Sequence, residues 1–297
     1  MQIGEWKATP HLNRIYGEIR ELGLESNVAE LDAYGFTVIP PGKAAPMEFV
    51  DRLADKVLEV ARRRGNGAFE SENEYENKRN VGDLVYHMLW EDRIFEEALM
   101  NPSALALITY LLGENCLIQS VTGQIKVHTA ERTQLHSDNG MIPSPFPPYA
   151  QVANATWVLS EYTKENGCLL MVPGSHRYGR HPTPSECEDE ESMIPVECAK
   201  GSMIIWHGNQ WHGAFPKTNR DTIRVNLITL FCRMYLVPQE PLRYEVTPEV
   251  LQRNPPRFAK LMGQHIAYGW TDKGPDWTPE RQKYLGLTRT PEERLWD

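Results

Sequence analysis

A histidine and an aspartate stand two residues apart in the segment Leu135-His136-Ser137-Asp138. Successive side chains of a β-strand point to opposite faces, so on a strand His136 and Asp138 would project to the same side. One imidazole and one carboxylate are two of the three protein ligands of a facial triad, a site that holds iron(II) and leaves coordination positions open. The pattern is short and recurs by chance, and a polar turn leading into the proline-rich loop 139–150 is the simpler alternative.

The third ligand of such a site would be a histidine from a distant part of the chain. His212, in the segment Gln-Trp-His-Gly, follows the apolar run 201–206, and His207 in the same stretch is a rival. From the residues alone the choice between these two histidines stays open. The other histidines have no partner at the spacing of metal ligands, which favours an ordinary surface or core role for them.

An arginine follows His212 by twelve residues, at the start of a strand-like run, so its side chain is placed to enter a β core. A buried arginine needs an anion, and the fork of its guanidinium matches a carboxylate in bidentate geometry. Arg224 therefore predicts either a bound carboxylate or an ion pair with a protein carboxylate. The residues alone favour neither.

The elements that would position these side chains are short strands between turns. Helical patterns dominate residues 1–112, with one strand-like run at 35–40 and amphipathic or apolar helices at 46–64, 92–100 and 102–112. After Gly113 the chain changes to β-branched and large apolar runs, at 117–126, 151–159, 169–172, 202–206 and 223–231. Short strands joined by turns predict a sandwich or barrel. We expect one domain: a helical N-terminal part with one or more core strands (1–112), a β core (113–235) and a helical or irregular extension (236–297).

The amino-acid composition limits the classes of partner that we expect for this protein. Lys and Arg total 31 against 40 Asp and Glu, a net charge of -9, which argues against nucleic acid as a partner. No run of 18 apolar residues exists to predict a membrane span. The five cysteines are scattered and form no CxxC pair, which is typical of reduced thiols in a cytoplasmic protein. We expect a cytoplasmic monomer or homodimer acting on a small molecule.

The segment Asn166-Gly-Cys-Leu-Leu-Met-Val-Pro-Gly-Ser-His176 resembles the signature of the phytanoyl-CoA dioxygenase family. The order of the motifs is also similar: HxD, then this segment, then a glycine-led segment that ends in histidine, then arginine. The resemblance covers roughly residues 35–232. It implies a mainly β fold with flanking helices around a double-stranded β-helix, or jelly-roll, core. It also implies an enzyme that uses iron(II), 2-oxoglutarate and O2.

Carried over residue by residue, the resemblance implies that His136, Asp138 and His212 bind the iron. It favours His212 over His207, because the family places its arginine about ten to twelve residues after that ligand. It implies that Arg224 holds the far carboxylate of 2-oxoglutarate. Halogenating relatives replace the aspartate by a small residue, so Asp138 favours hydroxylation or another oxidation, with release of succinate and carbon dioxide.

Three further positions are softer candidates for contact with 2-oxoglutarate. Thr122 and Gln124 share a face of one predicted strand, whose inward side often reaches the cosubstrate in the family. Thr156 lies where relatives often carry an aromatic residue beside it. From their types alone, packing in the core is the better explanation of all three.

Two other functions stay open at this point. One is a non-catalytic jelly-roll protein that binds a metal or ligand, and the other is a cupin-type metalloenzyme that does not use 2-oxoglutarate. The intact set His136, Asp138, His212 and Arg224 argues against the first. The substrate class implied by the family is broad, and a natural product or an acyl derivative would fit it.

Overall fold

Two antiparallel sheets that face each other form the centre of the molecule. The computed structural model describes residues 10–64, 84–128 and 131–264, together with 270–272, 274, 275, 294 and 296. In chain order, its strands are β1 (Phe36–Ile39), β2 (Leu84–Val85), β3 (Leu117–Lys126), β4 (Thr133–His136), β5 (Val152–Val158), β6 (Leu169–Met171), β7 (Ile194–Pro195), β8 (Met203–His207), β9 (His212–Ala214), β10 (Arg224–Cys232), β11 (Trp270–Thr271) and β12 (Gly274–Pro275).

The larger sheet has six strands in the order β1-β8-β5-β10-β3-β2, and the smaller sheet has four in the order β4-β9-β6-β7. From β3 to β10 the chain passes back and forth between the two sheets, and the strand pairs are antiparallel. This alternation winds the chain as a jelly roll. The predicted mainly β fold with a jelly-roll core and flanking helices is confirmed.

Helices cover the outer face of the larger sheet. They are α1 (Pro10–Glu21), α2 (Glu25–Tyr34), α3 (Met47–Arg63), α4 (Arg93–Leu99), α5 (Pro102–Leu112), α7 (Leu242–Glu245), α8 (Pro248–Arg253) and α9 (Pro256–Leu261), while the one-turn α6 (Pro184–Cys187) lies in the segment before β7. Leu53 and Val57 of the amphipathic α3 join Leu227 and Phe231 of β10 in the largest apolar cluster, and all four are almost fully buried. Burial of this helix layer against the sheet removes apolar surface from water and so stabilises the fold.

Local sequence explains where the helices begin and end. At α5, the side chain of Asn101 accepts a hydrogen bond from the backbone N–H of Ala104 at 3.0 Å, and Pro102 occupies the first turn. Gly113 ends the helix with a φ of 86°, a conformation that favours glycine. The predicted helices 46–64, 92–100 and 102–112 agree with α3, α4 and α5 to within one residue at each end.

The predicted strands agree equally well, since the run 117–126 coincides with β3 and the run 223–231 differs from β10 by one residue at each end. The short strands β7 and β9 were not predicted, because two or three residues are too few to show a period of two. A polar loop predicted at 65–82 lies outside the described residues.

Candidate metal centre

Three side chains from the two paired strands β4 and β9, and from the bend after β4, meet at one point. The ligand atoms of His136, Asp138 and His212 all lie within 4.8 Å of one another. His136 stands opposite His212 in the strand pair, and their ring centroids are 4.3 Å apart. In the part of the chain that the structure describes, this is the group of His, Cys, Asp or Glu side chains that could hold a metal ion.

Asp138 reaches this point in a way that the strand period alone does not explain. Strand β4 ends at His136, and Asp138 lies on a bend beyond it. Its backbone N–H donates a hydrogen bond to the carbonyl of Gly208 at 3.0 Å, which ties the bend to the turn before β9. Glycine is required at 208, because a Cβ there would collide with the backbone and side chain of Val152. The prediction that one strand carries both residues is therefore wrong, although both side chains do converge.

The two imidazoles are oriented by carbonyls of their own strands and turns. Nδ1 of His136 lies 2.8 Å from the carbonyl of Gln134, and Nδ1 of His212 lies 3.0 Å from the carbonyl of Gln210. A carbonyl only accepts, so Nδ1 of each ring donates its proton there, and in the neutral form of the imidazole the lone pair lies on Nε2. Such partners fix the tautomer of histidines that bind metals. Both rings are therefore prepared to bind a cation through Nε2.

His212 is buried, and this burial lowers its pKa. The carboxylate of Asp138 acts in the opposite direction, and the neighbouring His136 lowers the pKa further. The net effect is a lowered pKa, which keeps the ring neutral at pH 7. A neutral imidazole is the form that ligates metals, so the electrostatics and the hydrogen bonds agree.

The carboxylate of Asp138 has two different environments. Its Oδ1 lies 3.5 Å from Nε2 of His212, on the side of the ligand cluster. Its Oδ2 accepts hydrogen bonds from the side chains of Asn154 and Trp206 on the larger sheet. Two nitrogens and one carboxylate oxygen converging on one point are the donor set of iron(II) oxygenases.

Arg224 is buried, with an exposed fraction of 1%. Its Nη1 donates to the carbonyl of Gly167, but its Nε and Nη2 have no hydrogen-bond partner. No ion pair joins Arg224 to a protein carboxylate within the described residues. The predicted alternative, an ion pair within the protein, is therefore wrong. The N–H bonds of Nε and Nη2 run parallel along one edge of a guanidinium, the arrangement that a carboxylate accepts in bidentate fashion. A buried charge with two unpaired donors is costly, and a bound dicarboxylate would satisfy it.

The local structure explains why the signature segment has a glycine at position 167. Gly167 has a φ of +71°, and a Cβ there would lie 2.9 Å from the carbonyl oxygen of Phe215. Only glycine fits so close to the neighbouring strand connection, and this approach brings the Gly167 carbonyl to Arg224. Gly167 therefore holds the arginine through its carbonyl, and neither residue of the Asn-Gly pair belongs to the ligand cluster.

The end of the same segment supports the strand that carries His212. Ser175 accepts a hydrogen bond at its Oγ from the backbone N–H of Trp211 at 2.8 Å, and the N–H of Val172 donates to the carbonyl of Trp211 at 3.1 Å. Trp211 immediately precedes His212. The Pro-Gly-Ser-His sequence thus helps to fix the position of β9 through hydrogen bonds to Trp211. His176 itself is not part of the ligand group.

The softer candidates lie on the same face of the larger sheet as Arg224. Gln124 is paired with Asn226, the second residue after the arginine, while Thr122 and Thr156 stand on either side of Ile228. Ile228 and Gln124 are only partly buried although they lie inside the sheet, so they line the space between the two sheets. Contact of Thr122, Gln124 and Thr156 with 2-oxoglutarate stays a prediction.

Besides the donors of Arg224, three polar atoms of this face are buried without a partner: Oδ1 of Asn154, Oγ1 of Thr156 and Oδ1 of Asn226. Asn226 was missed from the sequence. The alternation of the strand that begins at Arg224 would have placed its side chain on the face of the arginine. Trp206 was also missed, because nothing in the sequence marks a tryptophan as a partner of a distant aspartate.

His207 points away from the ligand cluster. It is paired with Ala153, whose side chain belongs to the outer apolar cluster, and its Nδ1 accepts a hydrogen bond from the backbone N–H of Asn209 at 3.0 Å. Burial, with smaller contributions from His176 and Arg233, lowers the pKa of His207 to about 3. The ring is therefore a neutral structural group, which agrees with the preference for His212.

A comparison with known proteins bears on this geometry. Residues 31–225 match the family model of phytanoyl-CoA dioxygenase. The chain belongs to the phytanoyl-CoA dioxygenase family. Among curated relatives, dioxygenase af480 from Aspergillus fumigatus is 28% identical over 288 residues, which are 95% of this chain and 90% of that protein. Dioxygenase olcK from Penicillium canescens is 27% identical over 235 residues, which are 73% of this chain and 74% of that protein.

Solved structures show the same fold. EctD from S. alaskensis, crystallised with 2-oxoglutarate and 5-hydroxyectoine, superposes with a TM-score of 0.58 at 18% identity and covers 71% of this chain and 76% of its own. The epimerase SnoN from nogalamycin biosynthesis, described as non-heme and alpha-ketoglutarate-dependent, superposes with a TM-score of 0.54 at 20% identity and covers 72% of this chain and 84% of its own.

Family membership and the ligand group together make the protein an oxidoreductase, a dioxygenase that depends on iron(II) and 2-oxoglutarate. The predicted family, enzyme class and cofactors are confirmed, and neither alternative function is favoured. A small molecule is the substrate type consistent with this activity. Among the helices of the described residues, none has the length and apolar character needed to cross a membrane.

Proposed function

We propose that this dioxygenase hydroxylates a C–H bond of a small organic molecule. The observation that carries the proposal is the pairing of two sites in one jelly roll. A cluster of two imidazoles and one carboxylate lies between the sheets, and a buried arginine with two unpaired donors lies on the inner face of the larger sheet. When bound, iron(II) with 2-oxoglutarate and dioxygen supplies the oxidation and releases succinate and carbon dioxide.

In this proposal His136, Asp138 and His212 hold the iron, and each presents one atom that its other contacts leave free. The edge of Arg224 formed by Nε and Nη2 binds the far carboxylate of 2-oxoglutarate and sets its position relative to the ligand cluster. Thr122, Gln124 and Thr156 line the same space. No protein acid or base is needed for the central step, so the chain contributes geometry and exclusion of water.

Hydroxylation is favoured over halogenation because Asp138 is present. A carboxylate in the third protein position occupies the site that a halide would need. A natural product or an acyl derivative is the substrate class we propose. The curated relatives called dioxygenases do not restrict it further.

The remaining predictions concern the whole chain. We propose a single oxygenase domain in which 113–235 is the catalytic core, flanked by 1–112 and by the extension 236–297. We also propose a cytoplasmic monomer or homodimer without a nucleic-acid partner. The net charge of -9 and the five unpaired cysteines support this proposal.

An anaerobic titration with iron(II) and 2-oxoglutarate tests the proposed roles. Wild-type protein should develop a visible charge-transfer band and, in air, release succinate slowly without substrate. His136→Ala and Asp138→Ala should lose both signals while they unfold at the same temperature as wild-type protein without metal. His87→Ala is the matched control, because that ring pairs with Glu245 at 2.8 Å rather than with the ligand cluster. Normal signals in either ligand variant would contradict the assignment.

A further inference from the structure

Two neighbouring side chains of the larger sheet hold one oxygen of Asp138. Asn154 on β5 and Trp206 on β8 stand opposite each other in the strand pair. Nδ2 of Asn154 donates to Oδ2 of Asp138 at 2.7 Å, and Nε1 of Trp206 donates to the same oxygen at 3.2 Å. Asp138 belongs to the bend after a strand of the opposite sheet, so these hydrogen bonds cross the space between the sheets.

The two donors leave the other oxygen to the ligand cluster. Oδ1 lies 3.5 Å from Nε2 of His212, while Oδ2 already accepts two hydrogen bonds from uncharged donors. A carboxylate that binds a metal through both oxygens would have to turn Oδ2 toward the cation and give up both bonds. We propose that Asn154 and Trp206 are positioning residues that reserve Oδ1 of Asp138 for the metal and so enforce binding through one oxygen.

The orientation of Asn154 supports a role beyond packing. Because a carboxylate only accepts, the amide nitrogen of Asn154 must face Asp138, and its own Oδ1 is then buried without a partner. An unpaired buried acceptor lowers stability. The fold tolerates this cost at a residue whose other end holds a metal ligand, which is typical of a functional rather than a stabilising contact.

Trp206 contacts two of the three ligands. Besides its hydrogen bond to Asp138, its ring lies 5.3 Å from the ring of His212, at an interplanar angle of 56°. One side chain therefore fixes the position of a ligand from the bend and a ligand from β9. Partners of this kind, outside the coordination shell, change metal affinity by about 10- to 100-fold when they are removed in other proteins.

The inference rests on the proposed function and is tested by metal affinity rather than by turnover. Asn154→Leu keeps the approximate shape but removes the donor, and Trp206→Phe keeps a ring but removes the N–H. Calorimetric titration with Co2+ should give an affinity about 10-fold weaker in each variant. The d–d absorption of the cobalt form should change in both, because the coordination by Asp138 changes. Trp157→Phe is the matched control, since Trp157 lies on β5 next to Thr156 but its side chain packs in the outer apolar cluster.

Thermal unfolding of each metal-free variant separates a structural role from a positioning role. A purely structural role predicts lower stability with an affinity within twofold of wild-type protein and an unchanged cobalt spectrum, and that result overturns the inference. Asp138→Ala is measured in parallel. If wild-type protein binds no Co2+, or Asp138→Ala binds it equally well, the proposed metal centre fails together with the inference. If only Asp138→Ala loses affinity, the metal centre stands and the inference alone is wrong.

Discussion

The two faces of strand β10 have opposite characters, although they share one backbone. Val225, Leu227 and Phe231 point outward into the helix layer and are almost fully buried in apolar surroundings. Arg224 and Asn226 point inward and carry polar atoms that are buried without partners. The outer face is satisfied by the protein itself, whereas the inner face is incomplete. Unpaired donors and acceptors therefore indicate where small molecules are expected to complete the structure.

This contrast predicts that substitutions on the outer face change stability and substitutions on the inner face change binding. Leu227→Ala tests the outer face and should give the largest effect. Removing this fully buried side chain from the centre of the sheet should lower the free energy of unfolding by about 2–5 kcal/mol. Chemical denaturation of the metal-free protein measures the loss. Succinate release per folded molecule should stay near the wild-type value. A loss of activity without a loss of stability would contradict the predicted difference between the two faces.

Arg224→Ala tests the inner face. It removes two unpaired donors along with the charge, so we expect the concentration of 2-oxoglutarate needed for half-maximal succinate release to rise about 10- to 100-fold. The free energy of unfolding should fall less than in Leu227→Ala, because removal of a buried charge with two unpaired donors offsets the loss of the hydrogen bond to Gly167. Arg177→Ala is a suitable control at an exposed arginine. An unchanged requirement would move the role to another cation, such as Lys126, its cross-strand neighbour.

The two histidines that flank the turn between β8 and β9 extend the contrast. His207 faces outward, and its pKa is lowered to about 3 by burial. Its native form stays neutral while the unfolded chain takes up a proton below about pH 6.5, so its contribution to stability is lost as the pH falls from about 6.5 toward 3. The loss should reach roughly 2 kcal/mol near pH 5. Urea unfolding at several pH values measures it, and His207→Asn should flatten the curve. An equally steep curve in that variant would assign the pH dependence to other groups.

Thr156→Val should give the smallest effect. The hydroxyl of Thr156 is buried without a partner, so replacing it by a methyl group should leave the free energy of unfolding unchanged or raise it by up to about 1 kcal/mol. If the hydroxyl contacts 2-oxoglutarate, the affinity for the cosubstrate should fall a few-fold. Thr229→Val is the comparison on the outer face, where the hydroxyl already donates to the carbonyl of Ala155 at 2.6 Å and its loss should destabilise. If Thr156→Val were less stable than Thr229→Val, the proposed difference between the inner and outer faces would be wrong.

The sequence predicted the parts of the site that follow from local pattern and motif order. His136, Asp138, His212 and Arg224 belong to segments whose order resembles a known family, and the strand period correctly placed Thr122 and Gln124 on one face. Contacts between the sheets could not be predicted. The pairing of Trp206 with Asp138 depends on the register of β8 against β5 and on the distance between two sheets, neither of which is written in a short segment.

The position of Asp138 is a second feature that the sequence could not explain. Strand alternation gave the right neighbours for the wrong reason, because β4 ends before the aspartate is reached. What turns the carboxylate inward is a hydrogen bond to Gly208, seventy residues away along the chain. Such a long-range backbone contact becomes visible only when the fold is complete.

The close fit of Gly208 against Val152 has a consequence for redesign of the protein. With no room for even one additional carbon atom at this glycine, the turn and strand β5 behave as a single unit that cannot be lengthened or exchanged without displacing Asp138. Attempts to widen substrate scope should therefore change the stretch 140–145, where Met141 is almost fully exposed, and leave 207–212 as it is.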